Sequence, residues 1–436
     1  DQGAVDVYAG PGVFFARSTA LPANQAVILQ GRTASGEWVY LCCEANVEGW
    51  VRTAFLRIQG NELPPDAPSN SNPNDVRWLA ERTPTATPLA PQPTPTLVPD
   101  SDYPLFRRDP GAQARVNRPL LPPLRFGWPD PATASRSMSS PVIVVGSSVL
   151  VASQDQHLYS FDKLQGNQRW RYQFPSFVQF APAAQDNLVY AIDQDGVLVA
   201  LEDQGNRTPV ERWRRNMESP PSAGLNLRGD LLFVPGVNHT LYALNRQDGG
   251  ERWRFTTSGN YLHYPAIGDQ LVYVGDGALT ALDVYSGTVV WQNTAVNGVS
   301  GPPVYSRPGV RALAELFVAT ELGGVLDFDA NTGTLLWQHV SAERTTDLAL
   351  DDTTVYAAGR FFVKALDRQT GQELWRYNAP DELMGGPIVG NGRLLIAFAS
   401  GAVQILDAFR GVVLYTQSVP VRLAGPPAVS DGWIFV

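Results

Sequence analysis

The sequence predicts an all-β protein with two folded parts joined by an extended linker. Three observations carry this prediction. Short alternating strands separated by glycine turns fill residues 1–58 and 124–436, proline-rich sequence separates these ranges, and tryptophan returns at a nearly fixed interval through the second range. The chain has 436 residues, of which 44% are hydrophobic and 17% are charged, so it can bury a substantial core and is not globally disordered.

Residues 1–58 predict a small barrel of five short β-rich runs. The motifs Gly36-x-Trp38 and Gly49-Trp50-Val51 each lead into a strand. These residues resemble the bacterial SH3-like (SH3b) domains, which commonly bind cell-wall peptides or act as adaptors in secreted proteins. The resemblance implies a ligand groove lined by Tyr8, Trp38 and Trp50, although the same three side chains would also suit the core of so small a barrel.

Residues 59–123 predict an extended Pro/Thr-rich linker. This range holds 15 of the 35 prolines, and the run from Thr83 to Pro99 has almost no apolar periodicity. Such sequence favours polyproline II and cannot bury a core. Stalks of this composition are typical of secreted and cell-surface proteins, and they are often O-glycosylated, so we expect a spacer outside the cytoplasm.

Residues 124–436 contain a repeat of about 40 residues. Aromatic residues recur 38 to 46 residues apart, and most follow an alternating strand and a glycine turn. An upstream hairpin brings each repeat to four short strands, which is the composition of a propeller blade. The aromatic residues are therefore expected to be structural blade anchors. They are Trp128, Trp170, Trp213, Trp253, Trp291, Trp337, Trp375 and Tyr415.

The repeated phrase is clearest in the run from Ala365 to Trp375, which includes Gly371. It resembles the pyrroloquinoline-quinone-type (PQQ-like) repeat family over nearly all of 124–436. The resemblance implies that each tryptophan packs between neighbouring blades and that the glycine closes a hairpin. Seven phrases and the beginning of another predict an eight-bladed β-propeller. We expect its last blade to be shared between the two ends of the chain, with residues 124–128 as its outer strand.

The same resemblance raises an enzyme hypothesis, because quinoprotein dehydrogenases contain such repeats. Those enzymes need a quinone, Ca²⁺ and a catalytic aspartate, and many stack the quinone on a disulfide between adjacent cysteines. Here the adjacent pair Cys42-Cys43 lies in the N-terminal part, and repeats of 38 to 46 residues leave little room for site-building insertions. The four histidines are dispersed without metal-binding spacing. We therefore predict no catalytic residue, no metal and no cofactor.

The charge and the domain combination indicate where the protein works and with what. The net charge of −9 argues against nucleic-acid binding, and no apolar run is long enough to span a membrane. Since the chain begins at Asp1 and ends in an apolar run at Val436, we expect it to be part of a longer product.

The sequence predicts a non-enzymatic bacterial scaffold, secreted or at the cell surface, within a larger assembly. Its expected partners are other proteins of a surface or envelope assembly, with self-association and cell-wall contact through the SH3-like part as further expectations. Three alternatives stay open: an envelope assembly factor like the outer-membrane assembly lipoprotein with PQQ-like blades, a receptor sensor ectodomain, and a PQQ-dependent dehydrogenase.

Overall fold

The computed structural model divides the chain into two units, Asp1–Pro95 and Thr96–Val436. In the first unit it describes only five strands. In the second it describes residues 103–109, 111–116, 120, 124, 127–128, 138, 140–257, 259, 262–296, 298–308 and 312–436. All elements within these ranges are β-strands. Among the described residues, no helix has the length and apolar character needed to cross a membrane.

The first unit contains one five-stranded sheet with the strand order β2-β1-β5-β4-β3. Its strands are β1 (Val5–Tyr8), β2 (Arg17–Leu21), β3 (Leu29–Arg32), β4 (Trp38–Leu41) and β5 (Gly49–Arg52). All of its pairings are antiparallel, and the side chains of Val39 and Val51 are buried. Burial of these neighbouring apolar side chains gives the sheet a core face.

The second unit is built from repeated four-stranded antiparallel sheets. A short strand, β6 (Arg115–Val116), precedes them. The strands of the first three blades are β7 (Ile143–Val145), β8 (Ser148–Ala152), β9 (His157–Asp162), β10 (Gln168–Gln173), β11 (Ala183–Gln185), β12 (Leu188–Ile192), β13 (Val197–Glu202), β14 (Val210–Asn216), β15 (Asn226–Arg228), β16 (Leu231–Pro235), β17 (Thr240–Asn245) and β18 (Glu251–Thr256).

Four further blades follow with the same order of strands. They are formed by β19 (Ala266–Ile267), β20 (Leu271–Gly275), β21 (Leu279–Asp283), β22 (Val289–Asn293), β23 (Val304–Ser306), β24 (Glu315–Ala319), β25 (Val325–Asp329), β26 (Leu335–His339), β27 (Asp347–Leu350), β28 (Thr354–Gly359), β29 (Phe362–Asp367), β30 (Glu373–Asn378), β31 (Ile388–Gly390), β32 (Arg393–Ala397), β33 (Ala402–Asp407) and β34 (Val413–Ser418). The last sheet consists of β35 (Ala428–Ser430) and β36 (Trp433–Phe435).

The first strands of the sheets line the inside of a ring. β7 contacts β11, β11 contacts β15, β19 contacts β23, β27 contacts β31, and β35 contacts β7 again. Almost all residues in the two middle strands of each blade are buried. Clusters of apolar side chains fill the spaces between successive blades. The predicted all-β propeller is therefore confirmed.

The prediction of eight blades is wrong, because the structure has seven blades. Six are four-stranded, and in the seventh β6 pairs in parallel with β31 as a fifth strand. β35 and β36 pair only with each other and form a two-stranded sheet. The expected outer strand at 124–128 is absent from the described residues, since Leu124, Gly127 and Trp128 lie outside any strand. The seven complete phrases correspond to the seven blades, and the eighth was inferred from the incomplete unit after them, which lacks the four paired strands that a blade requires.

Most of the expected anchors make one recurring contact. Trp337 donates its indole N–H to the backbone carbonyl of Arg368 at 2.8 Å. A Cβ atom on Gly371 would lie 2.4 Å from this indole, and the φ of Gly371 is 71°, so the turn requires glycine. The equivalent indole bond is made by Trp128, Trp213, Trp253, Trp291 and Trp375.

Two anchors make different contacts. Trp170 donates to the carboxylate of Asp203 at 2.9 Å. The hydroxyl of Tyr415 lies 3.5 Å from the carbonyl oxygen of Leu124 and donates to Gln417 at 3.0 Å. All eight aromatic side chains are buried or half-buried. The tryptophan contacts join successive repeats along the chain.

Candidate functional site

The centre of the ring contains part of the chain that precedes the blades. We call residues 103–109 and 111–116 the axial segment. Its backbone makes hydrogen bonds with the first strands of blades on different sides of the ring. These bonds are Val144 N–H to Tyr103 O at 2.8 Å, Ala184 N–H to Pro104 O at 3.0 Å, Tyr305 N–H to Gly111 O at 2.9 Å, Leu350 N–H to Gln113 O at 3.2 Å and Val389 N–H to Ala114 O at 3.0 Å. Since the first strands surround the axis, the segment fills the central channel.

A buried ion pair fixes the axial segment to the sixth blade. The side chain of Arg107 is buried, and its Nη1 lies 2.7 Å from Asp347 Oδ1 in β27. Its Nε donates to the carbonyl of Ala112 at 3.1 Å, and its Nη2 donates to the carbonyl of Leu348. Burial raises the pKa of Asp347, and the Arg107 guanidinium opposes that effect. The positive charge of Arg107 is thus satisfied by the protein itself.

Other titratable groups near the axis are also engaged by the chain. Burial raises the pKa of Asp109 to about 6, against the influence of Arg108 and of backbone hydrogen bonds from Gln113 and Gly111. The Nε2 atom of His263 lies 2.9 Å from the carbonyl oxygen of Val299, and burial lowers the pKa of this histidine. None of these contacts pairs a nucleophile with a positioned base, which acyl transfer or hydrolysis by covalent catalysis would need.

The quinone that the repeat resemblance implies does not fit the centre of this ring. A cavity beside the axial segment, lined in part by Tyr103, Arg107 and Ile388, has a volume of ≈ 10 Å³. That is room for about one water molecule, whereas small-molecule sites enclose ~300–1,000 Å³. Among the described residues, no three His, Cys, Asp or Glu side chains come together as a metal site requires. The axial segment occupies the space that a cofactor on the axis would need.

The groove residues expected in the N-terminal unit lie on three strands of its sheet. Tyr8 is in β1, Trp38 is in β4 and Trp50 is in β5, and Tyr8 is paired with Trp50 across the sheet. Their side chains are outside the part of the molecule that the structure describes, as are Cys42 and Cys43. The SH3-like resemblance and its groove therefore stay predictions.

The outer surface differs between the two halves of the ring at one repeated position. In β30, Trp375 pairs with Ala365 and Glu373 pairs with Leu366, so Leu374 is the extra residue of a β-bulge. Every outer strand has this bulge directly before its aromatic anchor. The extra residue is Arg169, Arg212 and Arg252 in blades one to three, and Val290, Leu336, Leu374 and Leu414 in blades four to seven.

We call the outer strands β10, β14 and β18, with the turns before them, the charged rim. Its arginines form ion pairs along and between strands: Arg214 with Glu211 at 2.9 Å, and Arg254 with Glu251 at 2.6 Å and Glu218 at 2.8 Å. A hydrogen bond from Arg214 holds the pKa of Glu211 below its usual value, and one from Arg254 does so for Glu251. Charged side chains on an edge strand oppose pairing with another chain.

We call the outer strands β22, β26, β30 and β34, with the turns before them, the apolar rim. Its large exposed hydrophobic side chains are Tyr285, Val289, Val290, Leu335, Leu374, Phe409, Val412, Val413 and Leu414, with exposed fractions of 41% to 68%. The charged rim exposes two such side chains, Leu164 and Val210, within its described residues. Exposed apolar side chains grouped in this way are typical of surfaces that contact another molecule.

The axial segment is the feature that sequence reasoning missed. The prediction placed its residues in the extended linker 59–123. The available signal was the apolar group Tyr103, Leu105 and Phe106, which departs from the Pro/Thr composition of the preceding residues. Tyr103 and Leu105 are buried in the structure, and the ring of Phe106 meets Tyr264 edge to face at 5.3 Å. The apolar rim was also not predicted; its signal in the sequence is the apolar residue before the anchor in blades four to seven, although the sequence alone does not show which of these side chains are exposed.

Comparison with known families identifies the repeat. The family model described as outer membrane protein assembly factor BamB matches residues 125–208, 206–362 and 357–436. The chain is 27% identical over 283 residues to the outer membrane protein assembly factor BamB of Yersinia pestis, which covers 58% of this chain and 70% of that protein. It is 29% identical over 280 residues to the Escherichia coli K12 protein of the same name, with the same two coverages.

Comparison with solved structures shows the fold. The crystal structure of BamB from Moraxella catarrhalis matches with a TM-score of 0.57 and 20% identity, over 67% of this chain and 91% of that one. The quinohemoprotein alcohol dehydrogenase of Comamonas testosteroni matches with a TM-score of 0.65 and 12% identity, over 77% of this chain and 76% of that one. At such identities, a shared propeller carries no information about activity.

Proposed function

The chain belongs to the family described as outer membrane protein assembly factor BamB, and from this membership we propose that it is a non-enzymatic assembly factor of a bacterial cell envelope. It works outside the cytoplasm and holds partner proteins on the outer surfaces of its ring. The curated relatives from Yersinia pestis and Escherichia coli bear the name of such a factor. A propeller suits the role because it presents binding residues on a rigid frame.

The observation that carries this proposal is the filled channel. The axial segment makes backbone bonds to the first strands of five blades, and the buried Arg107–Asp347 pair adds a charged contact. A ring whose centre is taken by its own chain leaves the rim and the loop faces for recognition. Exposed apolar patches on such a surface are typical sites of contact with other proteins.

The competing function is quinone-dependent oxidation, which the similarity to the Comamonas testosteroni dehydrogenase fold brings into consideration. The two functions differ in what they require of the centre of the ring. Oxidation would need the axial segment to leave the channel, at the cost of the buried contacts of Arg107. The assembly function keeps the segment in place.

The test is deletion of the encoding gene in the native host, with quantitative proteomics of the cell-envelope fraction. We expect the abundance of integral envelope proteins to fall and to recover when the wild-type gene is restored. In parallel, purified full-length protein is incubated with PQQ and Ca²⁺ and assayed for dye-linked alcohol oxidation. An unchanged envelope proteome, or PQQ-dependent oxidation by the purified protein, would overturn the proposal.

A further inference from the structure

The apolar rim extends over four successive blades. The indole of Trp291 packs against Gly333 at the start of the next outer hairpin, Trp337 against Gly371, and Trp375 against Gly411. The outer hairpins of successive blades are therefore joined by an indole that packs on a glycine turn. Exposed apolar side chains recur in the outer hairpins of all four blades, and we call this array the band.

Carboxylates accompany the band in every blade. Asp283, Asp329, Asp367 and Asp407 occupy the same position at the start of the turn before the outer strand. In each, Oδ1 accepts backbone N–H groups of the turn, and the hydrogen bonds described for these four carboxylates all end on Oδ1. These turns also carry Tyr285 and Phe409, so the negative charges lie beside the exposed apolar side chains.

The exposed cations of the apolar rim are fewer than its carboxylates. Glu373 adds a fifth negative side chain in β30, 3.9 Å from Nζ of the buried Lys364. Arg368 lies in the same turns but is buried, where it pairs with Glu315 at 2.5 Å. Arg410 is exposed. The apolar rim is thus an acidic surface, whereas the charged rim carries arginines at all three of its bulges.

We propose that the apolar rim is the docking surface for a partner protein that presents apolar side chains flanked by lysine or arginine. This inference rests on the proposed function and adds to it the surface and the chemistry of the partner. Apolar burial supplies the attraction, and complementary charge selects the partner and its position. A second copy of the same band, or an anionic lipid surface, would bring like charges together and is disfavoured.

The bulge residues offer a substitution that the fold already tolerates. Arginine stands at this position in blades one to three, so Val290→Arg, Leu374→Arg and Leu414→Arg together convert the apolar rim towards the charged rim. All three side chains are exposed, and the change removes the apolar contact and adds three positive charges to the rim. We expect the triple variant to keep the wild-type thermal midpoint and to lose at least about 30-fold in affinity for the partner.

The experiment is photo-crosslinking in the native host with the full chain. A benzophenone amino acid is placed at Leu374 or Leu414 in the apolar rim and, as matched controls, at the exposed positions Arg212 or Arg252 in the charged rim. We expect adducts with another protein from the first pair only. Adducts should disappear in a chain that also carries Val290→Arg, and mass spectrometry should map the attached peptide to an apolar segment with neighbouring Lys or Arg.

The other outcomes separate this inference from the proposed function. Protein adducts mainly from Arg212 or Arg252 would overturn the inference and leave the assembly function standing. Adducts with a second copy of the chain, with lipid, or with an acidic segment would also overturn it. If no position on either rim gives a protein adduct while the thermal midpoint is that of the wild type, then the inference fails together with the proposed use of the rim.

Discussion

The charged rim and the apolar rim have the same backbone and opposite surfaces. In both, the outer strand has a bulge immediately before an aromatic anchor, and in nearly every blade the anchor donates to the next repeat. They differ in the bulge residue, for example Arg212 in the second blade and Leu374 in the sixth. The comparison shows that the fold requires an aromatic side chain at the anchor, whereas it accepts either arginine or an apolar residue at the bulge. Function is therefore to be sought at the positions that the repeat does not specify.

The largest expected effect is the loss of stability on removal of a tryptophan anchor. It should be equal in the two halves, because the anchors have equivalent surroundings in both. Trp253 and Trp337 are each 8% exposed, and their indole bonds are 3.0 and 2.8 Å long. We expect Trp253→Ala and Trp337→Ala each to lower the free energy of unfolding by about 3–5 kcal/mol. Denaturant unfolding followed by circular dichroism measures it. A difference of more than about 1 kcal/mol between the two variants would show that the packing between blades also differs between the two halves.

The second-largest effect is the loss of stability on breaking an ion pair. It should be greater for a buried pair in the apolar half than for a partly exposed pair in the charged half. Glu315 is 1% exposed and accepts hydrogen bonds from Arg368. Arg368 also donates to the hydroxyl of Ser306. Glu315→Gln leaves a buried guanidinium without its counter-charge and should cost about 3 kcal/mol. Glu251→Gln is the matched control and should cost less than about 1 kcal/mol, since the Arg215–Glu251 pair is partly solvated. Equal costs in the same unfolding assay would contradict this distinction.

A smaller effect concerns the surface alone. The variant with Val290→Arg, Leu374→Arg and Leu414→Arg changes exposed side chains only, so its free energy of unfolding should stay within about 0.5 kcal/mol of the wild type. Removal of exposed apolar area should nevertheless raise the concentration at which the protein begins to aggregate. Static light scattering, measured as a function of protein concentration, gives the concentration at which aggregation begins. A large loss of stability would mean that the bulge residues support the fold.

The smallest effect is the acid sensitivity of the charged rim. Arg214 and Arg254 hold the pKa values of Glu211 and Glu251 below the ordinary value of 4.5. The stabilisation is therefore complete above pH 4.5 and is lost as the pH falls towards the lowered values in the folded state. Glu211→Gln with Glu251→Gln lacks this contribution and should lose less stability between pH ~5 and ~3, by under about 1 kcal/mol. If the free energy of unfolding depended on pH in the same way in the variant and the wild type, these ion pairs would not stabilise the fold.

The sequence identified the propeller because its anchors are rare residues at a regular spacing. Trp337 and Gly371 must both be present for an indole to pack on a hairpin, so the phrase is visible without a structure. The blade count was wrong because the unit after the seventh phrase was taken for part of a blade. In the structure, Trp433–Phe435 pairs only with β35.

The axial segment could not be predicted for a different reason. Its binding depends on backbone groups such as Val389 N–H and on contacts separated by hundreds of residues, such as Arg107 with Asp347. No local periodicity encodes such contacts, because each comes from a different blade. The surrounding prolines instead favoured an extended linker. The apolar rim lies between these cases, since Val290 and Leu414 are readable in sequence but their exposure is not.

The most direct test is complementation of the gene deletion with rim variants. The deletion host receives the wild-type gene, the variant with Val290→Arg, Leu374→Arg and Leu414→Arg, or a charged-rim control with Arg212→Gln and Arg252→Gln. At equal protein levels, the wild type and the control should restore the envelope proteome, and the apolar-rim variant should not. Full restoration by the apolar-rim variant, with loss in the control, would contradict the central claim that the apolar half of the ring carries the function.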